Sequence, residues 1–222
     1  MPVGENIARL HGQLPQGVRL VAVSKFHPAE RLMEAYNAGQ RIFGENRAQE
    51  LVAKAPQMPA DVQWHFIGKL QTNKVRMIMP HVSMIQSIDS QKLLALVDKE
   101  AARIDRTVDA LLQLHVAQEE TKSGFTVDEL LEAAQNGHLT GFDHVRLCGV
   151  MGMASLTDDM EQVRREFALI KSTFDTLRRG LFADSDCFTE VSMGMSDDWP
   201  VAVEEGSTMV RVGTDIFGPR EY

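Results

Sequence analysis

The sequence predicts an α/β protein folded as one (β/α)8 barrel of the TIM type, with residues 1–222 as a single domain. Three observations predict it. Eight short β-rich runs alternate with helical patterns, which implies parallel strands joined by helical crossovers. No low-complexity segment or long linker interrupts that alternation. The length of 222 residues is also close to the usual span of the barrel, about 250. An open doubly wound sheet is the alternative, because periodicity does not report whether a sheet closes.

The elements follow in order. Residues 2–14 form an extra N-terminal helix that covers the bottom or the side of the barrel. Strand one is 18–25, the apolar run Leu20-Val-Ala-Val-Ser-Lys25 that ends abruptly in a cation. A helix over 29–38 leads to strand two, 41–46. A helix over 47–55 leads to strand three, 64–68. The alternation continues as helix 72–79, strand 82–89, helix 91–104, strand 109–116, helix 127–136 and strand 145–154. Each strand is a short run rich in aliphatic, β-branched or aromatic residues and is followed by a polar turn. The clearest helix is 158–179. Its Met160, Val163, Phe167, Ile170, Phe174 and Leu177 recur at spacings of 3, 4, 3, 4 and 3, one core-facing stripe. Strand seven, 187–196, helix 200–205 and strand eight, 209–215, complete the series.

Composition narrows the function classes. With 23 basic and 31 acidic residues the net charge is −8, which argues against a nucleic-acid or anionic-membrane surface. No basic n-region followed by an apolar segment opens the chain, and no apolar run approaches the length of a membrane span, so the expected location is the cytoplasm. The two cysteines, Cys148 and Cys187, lie in apolar or strand-like stretches and read as reduced thiols. The seven histidines show no HExxH or paired ligand spacing, so no metal is expected. His65, beside Trp64, reads as a hydrogen-bonded core histidine. The adjacent Asp197 and Asp198 read as a solvated turn or helix start.

In a barrel the chemistry gathers at the C-terminal strand ends. Here those ends are Lys25, Asn46, Gly68, Asp89, the 118–122 loop, Ala154-Ser155, Ser196 and Gly213-Thr214. Alternation along strand one puts Val21, Val23 and Lys25 on one face, and along strand two Ile42, Gly44 and Asn46. If Val21 and Val23 point into the barrel, so does Lys25. An amine among apolar walls is pushed toward its neutral, nucleophilic form, the usual route to a Schiff base. Lysine snorkelling from a strand end is the plainer account of the same run. Across the barrel, Glu204-Glu-Gly206-Ser-Thr-Met-Val-Arg211-Val-Gly213-Thr214 falls where barrel enzymes frequently bind phosphate. Gly213 allows close approach to the backbone and Thr214 offers a hydroxyl. Met193-Gly-Met-Ser196 supplies another glycine and hydroxyl. Arg211 shares a face with Met209 and Gly213. Its permanently protonated fork suits either a phosphate or a ring nitrogen that must stay unprotonated.

Four segments in order resemble one family. They are Leu20-Val-Ala-Val-Ser-Lys25, Phe43-Gly-Glu-Asn46-Arg-Ala-Gln-Glu, Trp64-His-Phe-Ile-Gly-Lys-Leu-Gln-Thr-Asn-Lys74, and Val191-Ser-Met-Gly-Met-Ser196 continuing through Gly206-Ser-Thr-Met-Val-Arg211-Val-Gly-Thr-Asp-Ile-Phe-Gly218. The chain resembles the YggS/PROSC family of pyridoxal phosphate homeostasis proteins nearly end to end. That resemblance implies a barrel similar to the N-terminal barrel of alanine racemase (pyridoxal-phosphate fold type III). It implies pyridoxal 5′-phosphate held as a covalent aldimine on Lys25, with Asn46 beside the ring and Ser196, Gly213 and Thr214 at the phosphate. Arg211 then lies against the ring nitrogen or the phosphate. Ser207 and Thr208 match the motif without an assigned contact. His115 stands where the family carries asparagine, and Cys148-Gly-Val-Met-Gly-Met-Ala-Ser155 departs from its small-residue and proline pattern. Lys122 reads either as a second amine for cofactor transfer or as a solvated loop lysine.

A cofactor aldimine is not by itself turnover. Racemisation needs acid–base groups on both faces of a carbanion, and in the racemase a tyrosine from the other subunit partners the lysine. This chain offers only Tyr36 and Tyr222, and it lacks the racemase's second domain. The expected function is therefore to hold and deliver pyridoxal phosphate, as a monomer, with pyridoxal-phosphate-dependent apo-enzymes as recipients. A catalytic Schiff-base enzyme on the same barrel, a racemase or a phosphosugar aldolase, is the alternative.

Overall fold

The structure, a computed structural model, describes residues 2–117 and 123–218. Eight parallel strands close into a barrel in sequence order. They are β1 (Arg19–Val23), β2 (Ile42–Glu45), β3 (Gln63–Phe66), β4 (Val82–Ile88), β5 (Val108–Leu114), β6 (Val145–Gly152), β7 (Glu190–Ser192) and β8 (Met209–Val212). Closure is made by β8 against β1, in register from Arg19 opposite Met209 to Ala22 opposite Val212. That pairing decides for the barrel over the open sheet.

The helices are α1 (Val3–Gln13), α2 (Ala29–Asn37), α3 (Ala48–Lys54), α4 (Val75–Ile78), α5 (Gln91–Ala102), α6 (Val127–Gln135), α7 (Met160–Arg179), α8 (Trp199–Glu204) and α9 (Thr214–Phe217). The extra helix α1 lies on the side of the barrel, against α2 and α9. It buries Val3, Ile7 and Leu10, and Asn6 donates to the carbonyl of Ile216. The stripe predicted on α7 is buried from Val163 to Leu177, while Met160 at the helix start stays exposed.

Alternation along each strand builds two cores. Outward-facing residues pack under the helices, while Val21, Met84, Leu111, Cys148, Met151 and Met209 fill the barrel interior. Cys148 is buried and Cys187 half-buried, and both are free thiols. Burial pushes the Cys148 thiol up to about 12, so it behaves as a small hydrophobe. Among the described residues no helix is long and apolar enough to cross a membrane, and no cluster of side chains could hold a metal.

Three predicted elements need correction. Residues 72–79 divide into a 3-10 turn, Thr72–Lys74, and the short α4. Strand seven keeps only Glu190–Ser192, because Gly194 takes a left-handed φ of 96° and turns the chain. A Cβ there would lie 2.6 Å from that of Ala202, so the turn needs glycine. Strand eight stops at Val212, and Thr214 and Asp215, read as strand, open α9 instead.

Candidate functional site

Several of the predicted strand ends converge on one cavity of ≈ 280 Å³ at the mouth of the barrel, whereas Gly68, Asp89 and Ala154-Ser155 do not line it. Its volume is near the lower bound of about 300 Å³ for small-molecule sites. Lys25, Asn46, Ser196, Arg211, Gly213 and Thr214 all line it, together with Val23, His27, Ile67, Met153, Met195 and Asp197. Every residue singled out as cofactor-binding is therefore on one wall or another of a single cavity. Val23 and Lys25 share that cavity, but strand one, read as 18–25, ends at Val23, and Lys25 lies in the turn that follows it. Ser207 and Thr208 do not line it. They fasten the start of β8 to β7: the Ser207 hydroxyl lies 2.8 Å from the carbonyl of Met193, and the Thr208 hydroxyl accepts from the amide of Val191 at 2.9 Å.

Arg211 is buried, and its position is closely determined. One terminal nitrogen donates to the carbonyl and the hydroxyl of Ser192 at 2.8 and 2.6 Å; the other donates to the carbonyl of Gly152 at 2.9 Å. The salt-bridged arginine of a simple buried strand is not what is found: among the described residues no carboxylate pairs with it. Burial lowers its pKa to about 10, partly offset through space by Asp198. The guanidinium remains charged at neutral pH.

The bonds continue across the barrel interior. The Ser192 hydroxyl donates to Gln86 Oε1 at 2.7 Å, and Gln86 Nε2 donates to His65 Nδ1 at 2.9 Å. His65 is the hydrogen-bonded core histidine expected from its strand. Burial drives its pKa down to about 3, so it is neutral and can accept from Gln86. Ser192 and Gln86 escaped the sequence reading. A polar residue inside an apolar strand was the available signal, but its partner lies on a strand distant in sequence.

Asp198 corrects an expectation. It stands at the start of α8, as predicted, without a side-chain bond to that helix, and it is buried rather than solvated. Its carboxylate accepts from the amide of Met195 at 2.5 Å and so fastens the turn that presents Ser196. Burial raises its pKa, against that hydrogen bond and the charge of Arg211. Asp197 is exposed at the cavity rim. His115 Nε2 donates to the carbonyl of Ala117 at 2.9 Å, and the residue does not line the cavity. Lys122, the 118–122 loop and Tyr222 lie outside the described residues. Tyr36 sits on the outer side of α2, where its hydroxyl donates to Asp61 at 2.7 Å and Arg41 stacks on its ring.

Comparison with known proteins identifies the family. The family described as alanine racemase, N-terminal domain, matches residues 3–221. A pyridoxal phosphate homeostasis protein of Pasteurella multocida is 34% identical, over 100% of this chain and 99% of that protein. The chain belongs to the alanine racemase N-terminal domain family and, within it, to the pyridoxal phosphate homeostasis proteins. A solved structure of PipY from Synechococcus elongatus with pyridoxal phosphate bound superposes with a TM-score of 0.87 at 39% identity. It covers 97% of this chain and 100% of that one. Alanine racemase from E. faecalis superposes with a TM-score of 0.70 at 16% identity, over 98% of this chain and 58% of that one, a likeness of fold alone.

Two features are compatible with a pyridoxal phosphate ligand in this cavity. Asn46 Oδ1 is a buried polar atom without a hydrogen-bond partner among the described residues, which a ligand donor would satisfy. A Cβ at Gly213 would come within 3.2 Å of Val23, which also lines the cavity, so a larger residue there would press on that wall.

Proposed function

We propose that this chain holds pyridoxal 5′-phosphate as an aldimine on Lys25 and serves in its intracellular homeostasis and delivery, without substrate turnover. The supporting observation is the convergence of Lys25, Asn46, Ser196, Arg211, Gly213 and Thr214 on one cavity. The PipY structure with its bound cofactor supports the ligand class. Bound there, pyridoxal phosphate supplies an aldehyde and an electron-accepting ring. The Lys25 amine adds to the aldehyde carbon, the C=N bond forms and the aldehyde oxygen leaves as water.

Depth supports the remaining roles. Arg211 is buried, Ser196 half-buried and Thr214 exposed, so the ring end belongs inward and the phosphate outward. Ser196, Thr214 and the backbone of Gly213 hold the phosphate. Helix-opening amides have no intrahelical acceptor and add to that contact. Arg211 uses three of its five N–H bonds on the protein and faces the ring nitrogen. A permanent donor there keeps that nitrogen unprotonated and the ring a weak electron sink, which favours holding over turnover. Tyr36, engaged by Asp61 outside the barrel, is not placed as a second base. Residues 1–222 act as one cytoplasmic cofactor-binding domain and as a monomer, with apo-enzymes that need pyridoxal phosphate as recipients.

The purified protein is expected to be yellow, or to become so with pyridoxal phosphate. Borohydride should shift the visible band and leave the label on the peptide containing Lys25. Lys25→Ala should abolish both. A protein that stays colourless with excess pyridoxal phosphate, or a Lys25→Ala variant that still traps it, overturns the proposal. Racemase or decarboxylase turnover that is lost in Lys25→Ala overturns the carrier role.

A further inference from the structure

The segment Phe43-Gly-Glu-Asn46-Arg-Ala-Gln-Glu contributes Asn46 to the cavity, but its two carboxylates do something else. Glu45 is fully buried at the end of β2, and Lys54, at the end of α3, is almost so. The Lys54 ammonium donates to Glu45 Oε1 at 2.8 Å, to Glu50 Oε2 at 2.9 Å and to the carbonyl of Ser24 at 2.9 Å. The Ser24 hydroxyl donates to Glu45 Oε1 at 2.6 Å. On the other side of Lys25, the amide of Phe26 donates to Glu50 Oε2 at 2.8 Å. Phe26 has φ 68°, a left-handed conformation that a bulky residue rarely adopts and that surrounding bonds must hold. The residues before and after Lys25 are thus tied to the same ammonium–carboxylate cluster.

We propose that Ser24, Glu45, Glu50 and Lys54 are positioning residues: a buried clamp that holds the backbone on both sides of Lys25 and so aims its amine into the cavity. The proposal rests on Lys25 being the aldimine lysine. Its physical basis is reach. A lysine has four rotatable side-chain bonds, so its backbone must be rigid if the amine is to dwell near one carbonyl carbon. Strand β1 ends at Val23, and the clamp bonds to Ser24 and Phe26 in the segment that follows it. Burial works against the charge of Glu50, but the bonds from Lys54 and the Phe26 amide outweigh it and hold its carboxyl below the usual value. Glu50 is therefore a charged acceptor at neutral pH.

The decisive variants are Glu50→Ala, which removes the anchor of Phe26 at a half-buried site, and Glu50→Gln, which keeps an acceptor oxygen. With pyridoxal phosphate, Glu50→Ala should form the visible band at least tenfold more slowly than wild type. It should also alter the induced circular dichroism of the bound chromophore, which reports ring orientation. Glu50→Gln should restore both to within about threefold. Far-ultraviolet dichroism and thermal unfolding of the unloaded proteins report folding separately. Wild-type rate and dichroism in Glu50→Ala overturn the clamp, as does a change confined to its unfolding temperature. If Lys25→Ala still forms the band, the assignment of Lys25 itself fails. If Lys25→Ala loses the band while Glu50→Ala behaves as wild type, only the clamp fails.

Discussion

Two buried cations stand near the barrel mouth, and the protein treats them in opposite ways. Lys54, beside β1 and β2, meets two carboxylates and a carbonyl. Arg211, on β8, meets two carbonyls and a hydroxyl and pairs with no carboxylate among the described residues. The charge of Lys54 is consumed inside the protein, so that region is structural. Arg211 lines the cavity, and on the proposed function its charge is what the ligand meets, so that region is the receptive one. Burial is similar in the two cases. The neighbouring counter-charge separates them.

Lys54→Met tests the structural side and carries the largest expected effect. It leaves Glu45 and Glu50 without their cation, and breaking a buried pair in this way costs roughly 3–5 kcal/mol. Urea unfolding of the unloaded protein measures it. A loss under about 1 kcal/mol, the range of an exposed pair, would erase the distinction between the two cations. Arg211→Met tests the receptive side. The unloaded protein should lose less stability than Lys54→Met does. Its affinity for pyridoxal phosphate should fall roughly 10–100-fold, equivalent to one charge-assisted bond of about 1.5–3 kcal/mol. An absorbance titration separates the two effects.

The smallest effect sharpens the comparison through pH. His65 sits at the far end of the chain of bonds from Arg211 and must be neutral to accept from Gln86. Its folded pKa of about 3 lies below the ordinary imidazole value of 6.5. Between those values the unfolded chain binds a proton that the folded chain does not. Stability is therefore full above pH 6.5 and is lost as pH falls toward 3, by at most about 1.4 kcal/mol per pH unit. His65→Asn should flatten this slope between pH 6.5 and 5, measured by urea unfolding. An unchanged slope would remove His65 from the account.

The legible part of the site was its rim. Lys25, Asn46 and Ser196 end apolar runs, and parity along the predicted strands 18–25 and 209–215 put Lys25, Arg211 and Gly213 on inward faces, although the observed strands stop short of Lys25 and Gly213. Asp198 was misjudged because an aspartate pair after a strand reads as solvated, whereas the turn at Gly194 folds one of the pair inward. Glu45 and Lys54 were missed for a related reason. Glu45 falls on the face opposite Asn46, away from the predicted site. The spacing of Glu50 and Lys54 is that of any solvated helix pair. Nothing local distinguishes a buried pair from an exposed one.

The sequence alone determined the alternation of strands and helices, the extra N-terminal helix, the lysine that ends an apolar run and the glycine–hydroxyl–arginine segment opposite. These follow from side-chain period and backbone preference, which are local. Closure of β8 on β1, the joining of Arg211 to His65 through Ser192 and Gln86, and the grip of Lys54 on both sides of Lys25 were decided only by the tertiary structure. They depend on strand register and on which residues burial brings together. A periodic pattern assigns a side chain to a face but does not name its neighbour.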